Sequence, residues 1–312
     1  MSFDVRQTIP RGEDGYPAML ADLDRPPERI FVLGDVSVLA APSISIIGAR
    51  RASPYGLAIA DMAARVAAEA GIVVTSGGAM GCDRAAGISA LDAGGRHVIV
   101  MGTGADVVYP RSSRSLVERT LSQGGAVVSL EPWGSPPRRY AFPKRNRIIA
   151  ALSLATLVVE AGMPSGTFGT AETAAELGRE VLSVPGSILS PESRGSNHLI
   201  SIGATCIADL EALEMAISRI YGTLRREWGA HGEPAFENEL ERSIFEALVA
   251  SPLRADELVG ALGAPALNVA RALGALTARG MVSSLCDGRH TLTRSALHAA
   301  SALGHNVVRA NH

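Results

Sequence analysis

The sequence predicts an α/β protein with a doubly wound, mostly parallel sheet, followed by a small C-terminal domain of a different class. Short β-branched runs end in glycine turns, and each is followed by an amphipathic stretch, a pattern that repeats from residue 43 to 209. Such alternation is typical of βα units, whose strands lie parallel. The pattern stops near residue 222, and beyond it three helical stretches precede a hairpin. We therefore expect an extended Rossmann-like sheet plus a C-terminal winged-helix domain.

The first 41 residues carry several prolines and two short apolar runs, so we expect an N-terminal segment that packs on the core. Residues 42–221 form the predicted Rossmann-like domain, with six or seven strands in one sheet. Because ligands bind beyond the carboxyl ends of parallel strands, the glycine turns should share one crevice. The predicted strands are 44–47, 72–76, 98–101, 126–129, 155–160, 181–184 and 204–207, and the predicted helices are 54–69, 82–93, 112–122, 143–152 and 168–178.

The C-terminal region begins with a linker at 222–238, which has neither periodicity nor apolar density. We predict a winged-helix domain at 239–296, with a hairpin that turns at Asp287-Gly288, and a tail at 297–312. Its third helix offers only Arg271 and Arg279, with Asn268, as polar groups for DNA. A helix that reads DNA normally brings more such groups, so a protein-interaction role is at least as well supported as weak DNA binding.

Composition restricts the functional classes. The 312 residues are 47% hydrophobic and 19% charged, with a formal net charge of -2, which excludes a globally basic nucleic-acid binder but permits a basic groove. No apolar run approaches the ~18 residues of a membrane span, and the first residues lack a signal-peptide pattern, so we expect a cytoplasmic protein. The three cysteines are odd in number and widely spaced, which predicts neither disulfides nor a zinc cluster.

A cationic cluster at residues 138–147 is the strongest functional signal. It places five cationic side chains in ten residues, and Lys144 is the only lysine of the chain. Pro143 is typical of a first helical turn, which places these cations at the positive end of the helix dipole. That arrangement is unfavourable unless a polyanion neutralises their charge. The alternative is a solvated helix end. The cations are Arg138, Arg139, Lys144, Arg145 and Arg147.

The turns at residues 48–51, 76–77 and 165–166 complete the predicted phosphate-binding crevice. Each has an ordinary alternative, either a solvated βα loop or a helix N-cap. The sequence contains no G-x-S-x-G elbow, P-loop or H-E-x-x-H pattern, so we expect no catalytic residue, metal or cofactor. The residues predicted to bind phosphate in this crevice are Gly48, Arg50, Arg51, Ser76, Gly77, Lys144, Arg145, Asn146, Arg147, Ser165 and Gly166.

Together these motifs resemble the DprA/Smf family of DNA-processing proteins. The stretches that carry the resemblance are I-I-G-A-R-R at 46–51, Y-P-R at 109–111, F-P-K-R-N-R-I-I at 142–149, V-V-E-A at 158–161, G-R-E-V-L-S-V-P-G at 178–186 and S-R-G-S-N-H-L-I-S-I-G-A at 193–204. The resemblance implies a homodimer that binds single-stranded DNA and loads RecA during natural transformation. It also implies DNA contacts by Arg50, by the residues 144–147 and by Ser165-Gly166.

Two stretches depart from the family pattern. Gly87 stands where the family usually has histidine, and residues 167–170 replace its usual S-L-I-T. These departures leave open a divergent paralogue with a different ligand. One alternative is an enzyme that cleaves nucleoside monophosphates, although its P-G-G-x-G-T-x-x-E motif would end here at Thr173, with Glu172 one residue early. The other is a nucleotide-sensing adaptor.

Overall fold

The computed structural model describes residues 5–223, 235–285, 287–293 and 296, and the chain divides into two compact units, Met1–Glu227 and Trp228–His312. The predicted tail and residues 224–234 of the predicted linker lie outside the described residues. Each unit has its own apolar core, and each is treated separately below.

One sheet of nine strands organises the first unit. Its strands are β1 (Arg6–Pro10), β2 (Arg29–Gly34), β3 (Ser43–Ile47), β4 (Val73–Ser76), β5 (His97–Met101), β6 (Ala126–Ser129), β7 (Ala155–Val158), β8 (Glu180–Ser183) and β9 (Thr205–Cys206). The order across the sheet is β1-β2-β6-β5-β4-β3-β7-β8-β9. All pairings from β3 to β9 are parallel, which confirms the predicted mostly parallel sheet.

The order of strands places the crevice. From β3 the chain winds outward to β6 and then returns to β7 on the other side of β3. This reversal is a topological switch point, where the loops after adjacent strands diverge and leave room for a ligand. The turns after β3 and β7 therefore flank the position at which a ligand is expected.

The N-terminal segment joins the sheet, which the sequence pattern did not predict. The strand β1 pairs antiparallel with β2, and β2 pairs antiparallel with β6. Ile30 and Val32 of β2 are fully buried in the same apolar core as Val128 of β6. The apolar run at 30–33 is short and follows two prolines, so its pairing depends on a distant strand that local periodicity does not reveal.

Helices cover the sheet and begin at its carboxyl edge. The helix α1 packs on α2 and α2 on α3, while α4 packs on α5. Helix α4 is the predicted cationic stretch, and it starts two residues before Pro143. The helices of this unit are α1 (Pro54–Glu69), α2 (Cys82–Asp92), α3 (Arg114–Ser122), α4 (Ala141–Ala151), α5 (Thr167–Glu176), α6 (Arg194–Ser201) and α7 (Leu210–Tyr221).

Within the residues that the structure describes, the second unit contains three helices followed by a hairpin, the order of a winged helix. They are α8 (Glu239–Ala250), α9 (Ala255–Leu262), α10 (Ala266–Ala278), β10 (Val282–Ser284) and β11 (His290–Leu292). The two strands pair antiparallel, and Phe245 and Leu276 are fully buried in the core between the helices. Over the described residues no single helix is long and apolar enough to cross a membrane; only α9 and α10 taken together, across a 118° bend, reach that length.

Candidate nucleic-acid interface

Asp83 connects the turns that follow β3 and β4. Its carboxylate accepts hydrogen bonds from the backbone N–H groups of Gly48, Gly77 and Ala79, the Gly77 bond measuring 2.9 Å. Gly48 follows β3 and Gly77 follows β4, so one side chain fixes both turns. Burial raises the pKa of Asp83, and the positive charge of Arg145 opposes that rise. Asp83 is not among the residues that the sequence pattern predicted for the site.

Both glycines are required by close packing. A Cβ at position 48 would lie 2.7 Å from the Cys82 Sγ and 3.0 Å from the Glu160 carbonyl oxygen. A Cβ at position 77 would collide with the guanidinium of Arg145. Contacts this short do not occur between real side chains, so any other residue would displace the turn.

Arg145 lies beneath the crevice and not on its surface. The residue is only 6% exposed, and its Nη1 donates to the carbonyl oxygens of Gly77 (2.5 Å) and Val100 (2.8 Å). Burial lowers its pKa to about 10, although the charge of Asp83 works in the opposite direction. We predicted Arg145 as a DNA contact; its placement favours a different role, in which it joins the turn after β4 to strand β5 beneath the exposed cations.

The crevice carries exposed cations, and one of them, Arg50, lies beside an aromatic ring. Arg50, Arg51 and Lys144 are exposed to solvent. The Cζ of Arg50 lies 6.0 Å from the ring centroid of Phe142, and that of Arg145 lies 5.8 Å from it. Phe142 thus joins the turn after β3 to the start of α4, so the two predicted cationic stretches form one surface.

The remaining residues of the cationic stretch contact other segments. Asn146 donates from Nδ2 to the carbonyl oxygen of Gly166 at 3.2 Å, which brings α4 and the turn before α5 together. Arg147 forms an ion pair with Asp24 of the N-terminal segment. A DNA contact by Arg147 would therefore compete with this carboxylate, whose pKa the same arginine lowers.

The turn before α5 is organised by Ser165. Its Oγ accepts from the N–H of Thr167 at 3.2 Å and lies 3.0 Å from the hydroxyl of the same residue. Gly166 is exposed and provides the N-cap of α5 without a side-chain cap. The Ser165 hydroxyl therefore stabilises the turn, and the exposed backbone of Gly166 is the part that faces solvent.

Ser76 belongs to a buried polar chain that includes a histidine the sequence analysis missed. The Ser76 Oγ lies 3.0 Å from the His97 Nε2, and the His97 Nδ1 lies 3.0 Å from the Thr120 Oγ1. A Cβ at Gly87 would lie 2.6 Å from the ring carbon Cε1 of His97. The imidazole of β5 thus fills the space beside Gly87, the position at which the sequence departs from its expected pattern.

Stability should depend on pH through His97. Burial lowers the pKa of His97 to about 3, so the unfolded chain binds a proton below about pH 6.5 that the folded chain does not. We expect the difference in unfolding free energy between the wild-type chain and His97→Gln to shrink by about 1.4 kcal/mol per pH unit from pH 6.5 toward pH 4. Urea unfolding at several pH values measures this difference, and a constant difference would contradict the assignment.

The N-terminus of α1 is already occupied by a carboxylate of the chain. Glu160 is buried and accepts from the N–H (2.8 Å) and the hydroxyl (2.6 Å) of Ser53, whose Oγ in turn accepts from the Gly56 N–H at 3.0 Å. Burial raises the pKa of Glu160, and both bonds from Ser53 lower it. In dinucleotide-binding domains a phosphate takes this position.

In the second unit, one of the two predicted cations is structural. Arg279 forms a 2.5 Å ion pair with the buried Glu241 and donates to the Ala235 carbonyl oxygen at 3.1 Å. It therefore fixes α10 to the segment before α8. Arg271 and Asn268 are exposed on α10.

Comparison with known proteins places the first unit in a family. The family model described as DNA recombination-mediator protein A matches residues 7–218, about two thirds of the chain. The chain belongs to this family. The resemblance to DprA/Smf proteins is confirmed, and the predicted DNA-binding residues, at positions 48–166, all lie inside the matched range.

Relatives and solved structures of the DprA/Smf family agree with this assignment. Protein Smf of Escherichia coli is 38% identical over 66% of this chain, and the match spans 55% of that protein. The putative DNA processing protein DprA of Mycobacterium tuberculosis is 34% identical over 85% of this chain and 68% of its own length.

The crystal structure of DprA from Streptococcus pneumoniae has a TM-score of 0.63 and 35% identity, covering 68% of this chain and 74% of that one. DprA from Helicobacter pylori, whose structure is reported with a single-stranded DNA binding mode, has a TM-score of 0.63 and 27% identity, covering 70% and 98%. The α/β fold of the first unit is therefore a DprA fold.

Proposed function

We propose that the chain binds single-stranded DNA along the crevice, through phosphate contacts made by Arg50, Arg51 and Lys144. The observation that carries this is that all three cations are exposed, with Arg50 beside Phe142 at the start of α4 and Lys144 in the first turn of the same helix, near the buried network of Asp83 and Arg145. Exposed cations above a buried hydrogen-bonded network, with no catalytic group facing them among the described residues, suit a ligand that is bound and not cleaved. Asn146 and the Gly166 backbone extend the same surface toward α5.

The cellular role that we propose is that of a recombination mediator. In it, the protein protects incoming single-stranded DNA and loads RecA during natural transformation, in the cytoplasm and as a homodimer. The family description and the names of the relatives support this role. Self-association is supported by two apolar side chains, Ile188 and Leu189, which are 86% and 87% exposed on the first unit.

The enzyme alternative has weaker support. At the position of the required glutamate, Thr173 is buried and its Oγ1 donates to the Gly169 carbonyl oxygen at 2.8 Å. Glu172, the preceding residue of α5, is exposed to solvent. In the part of the chain that the structure describes, no group of three or more acidic, histidine or cysteine side chains is arranged to hold a metal ion.

The adaptor alternative meets a different obstacle. A small nucleotide would have to place its phosphate at the N-terminus of α1, where Glu160 already accepts the hydrogen bonds of Ser53. A second anion there would face a buried carboxylate, which is strongly unfavourable in a medium of low polarity.

Salt dependence tests the proposal against the adaptor alternative. Binding of oligothymidylate should give a slope of log K against log salt of about -3 to -4, as expected when 4 to 6 phosphates of a single strand are neutralised. A mononucleotide should bind weakly and with a shallow slope. The opposite result, tight mononucleotide binding without affinity for oligothymidylate, would refute the proposal. RecA loading is tested separately, by the rate at which RecA coats DNA bearing a single-strand-binding protein.

The winged-helix unit should contribute little to single-strand binding. A chain that ends after Glu227 is expected to bind oligothymidylate within about threefold of the full chain, because α10 offers Arg271 while Arg279 is held by Glu241. Gel-shift titrations with single-stranded and duplex DNA of one sequence measure this. A loss above about tenfold would place a DNA contact in the second unit.

A further inference from the structure

Tyr140 immediately precedes α4, and its position is not explained by helix formation or by the core. It is the N-cap residue of α4, yet its side chain makes no capping hydrogen bond. Serine, threonine, aspartate or asparagine stabilises such a position better. Its side chain is 49% exposed, and it takes no part in the core clusters of the described residues. A large aromatic group is thus held at the crevice with much of its surface in water.

Two cations fix the ring in place. The Lys144 Nζ lies 5.0 Å from the Tyr140 ring centroid, and the Arg138 Nη1 donates to its hydroxyl at 3.2 Å. Phe142, two residues later, has a different environment, because its ring packs against Gly102, Tyr109 and Arg50. The Phe142 ring is therefore part of the packing, whereas the Tyr140 ring is held by its neighbours and remains about half exposed to solvent.

We propose that Tyr140, flanked by Lys144 and Arg138, is a subsite on which one unpaired nucleobase stacks. An aromatic face accepts any base; Lys144 lies over the ring and Arg138 contacts its hydroxyl, so a base that stacks on the opposite face would have both cations near its flanking phosphates. The subsite selects single strands, because the faces of paired bases are covered within a duplex. This inference rests on the proposed function and adds to it a contact with the base itself.

Affinity for two probes of equal charge tests the subsite with the full chain. The probes are an oligothymidylate and an abasic phosphodiester chain of the same length, followed by fluorescence anisotropy. The wild-type chain should bind the oligothymidylate about tenfold more tightly, the usual effect of one base stacked on an aromatic side chain. Tyr140→Leu should lose this preference and keep its affinity for the abasic chain. Tyr140→Phe, which retains the ring, should remain within about twofold of wild type on both probes.

A photochemical experiment locates the contact directly. An oligonucleotide containing 5-iododeoxyuridine should crosslink to Tyr140 on irradiation, and mass spectrometry should identify the modified peptide. Lys144→Gln serves as the electrostatic control. It should weaken the binding of both probes and make the salt slope shallower by about 0.7, whereas Tyr140→Leu should leave that slope unchanged.

The outcomes separate this inference from the proposed function. Three outcomes would overturn the stacking subsite without affecting the proposed phosphate binding. They are equal wild-type affinity for the two probes, equal losses of affinity for both probes in Tyr140→Leu, and a crosslink confined to another residue. If the wild-type chain bound neither probe at low salt, the proposed function itself would fail, and the subsite with it.

Discussion

The double variant Arg50→Glu, Lys144→Glu is expected to bind oligothymidylate at least about 100-fold more weakly than the wild-type chain. Each charged hydrogen bond contributes about 1.5–3 kcal/mol, and reversal adds repulsion from the phosphates. Both side chains are exposed, and neither forms an ion pair with a residue that the structure describes, so the fold should be retained. Fluorescence anisotropy at a fixed low salt concentration measures the loss, and circular dichroism checks the fold.

A matched control carries the same change in net charge at the opposite edge of the sheet. Arg96 is exposed just before the amino end of β5, and Arg119 pairs with Asp92 at the end of α2. The variant Arg96→Glu, Arg119→Glu should reduce affinity by less than about threefold, because its charges lie far from the crevice and are screened by salt. Equal losses in the two double variants would mean that net charge, and not the crevice, determines binding.

Asp83→Ala is expected to lower the unfolding free energy by about 3–5 kcal/mol, the usual cost of leaving a buried charge without its partner. The variant removes the acceptor of three backbone N–H groups and the carboxylate whose charge favours the buried Arg145 guanidinium. Urea unfolding followed by circular dichroism measures the loss. A change below about 1 kcal/mol would show that Asp83 does not support the turns.

Arg145→Met completes a double-mutant cycle with Asp83→Ala. Since replacing both members of a buried charged pair costs less than the sum of the single losses, the double variant should be more stable than additivity predicts. Additive losses would indicate that the two side chains act independently. Affinity for DNA should fall in both single variants even where the folded fraction is complete, because the exposed cations lose their support.

Local periodicity predicted most of the first unit. Alternating strands and glycine turns gave the parallel sheet, and the turn glycines converge where the topology required. The inward position of Arg145 was also accessible from the sequence, because it lies three and four residues before Ile148 and Ile149 on the buried face of α4. The charge of the side chain favoured a surface interpretation, whereas the helical period places it in the core.

Other features depend on contacts between distant residues. The pairing of β2 with β6 and the ion pair of Arg147 with Asp24 join segments that are about one hundred residues apart. The packing of the His97 ring against Gly87 cannot be predicted from either residue alone, because the two come into contact only when β5 lies beside α2. A single sequence carries no local signal for such pairs.

The carboxylate of Glu160 at the start of α1 has a consequence for regulation. A domain that supplies this anion from its own chain completes its first turn without a bound cofactor, so its readiness for DNA is independent of the nucleotide pool of the cell. A related fold that requires a nucleotide there would change its activity with the metabolic state. Under the proposed function, the supply of single-stranded DNA then sets how much of the crevice is occupied.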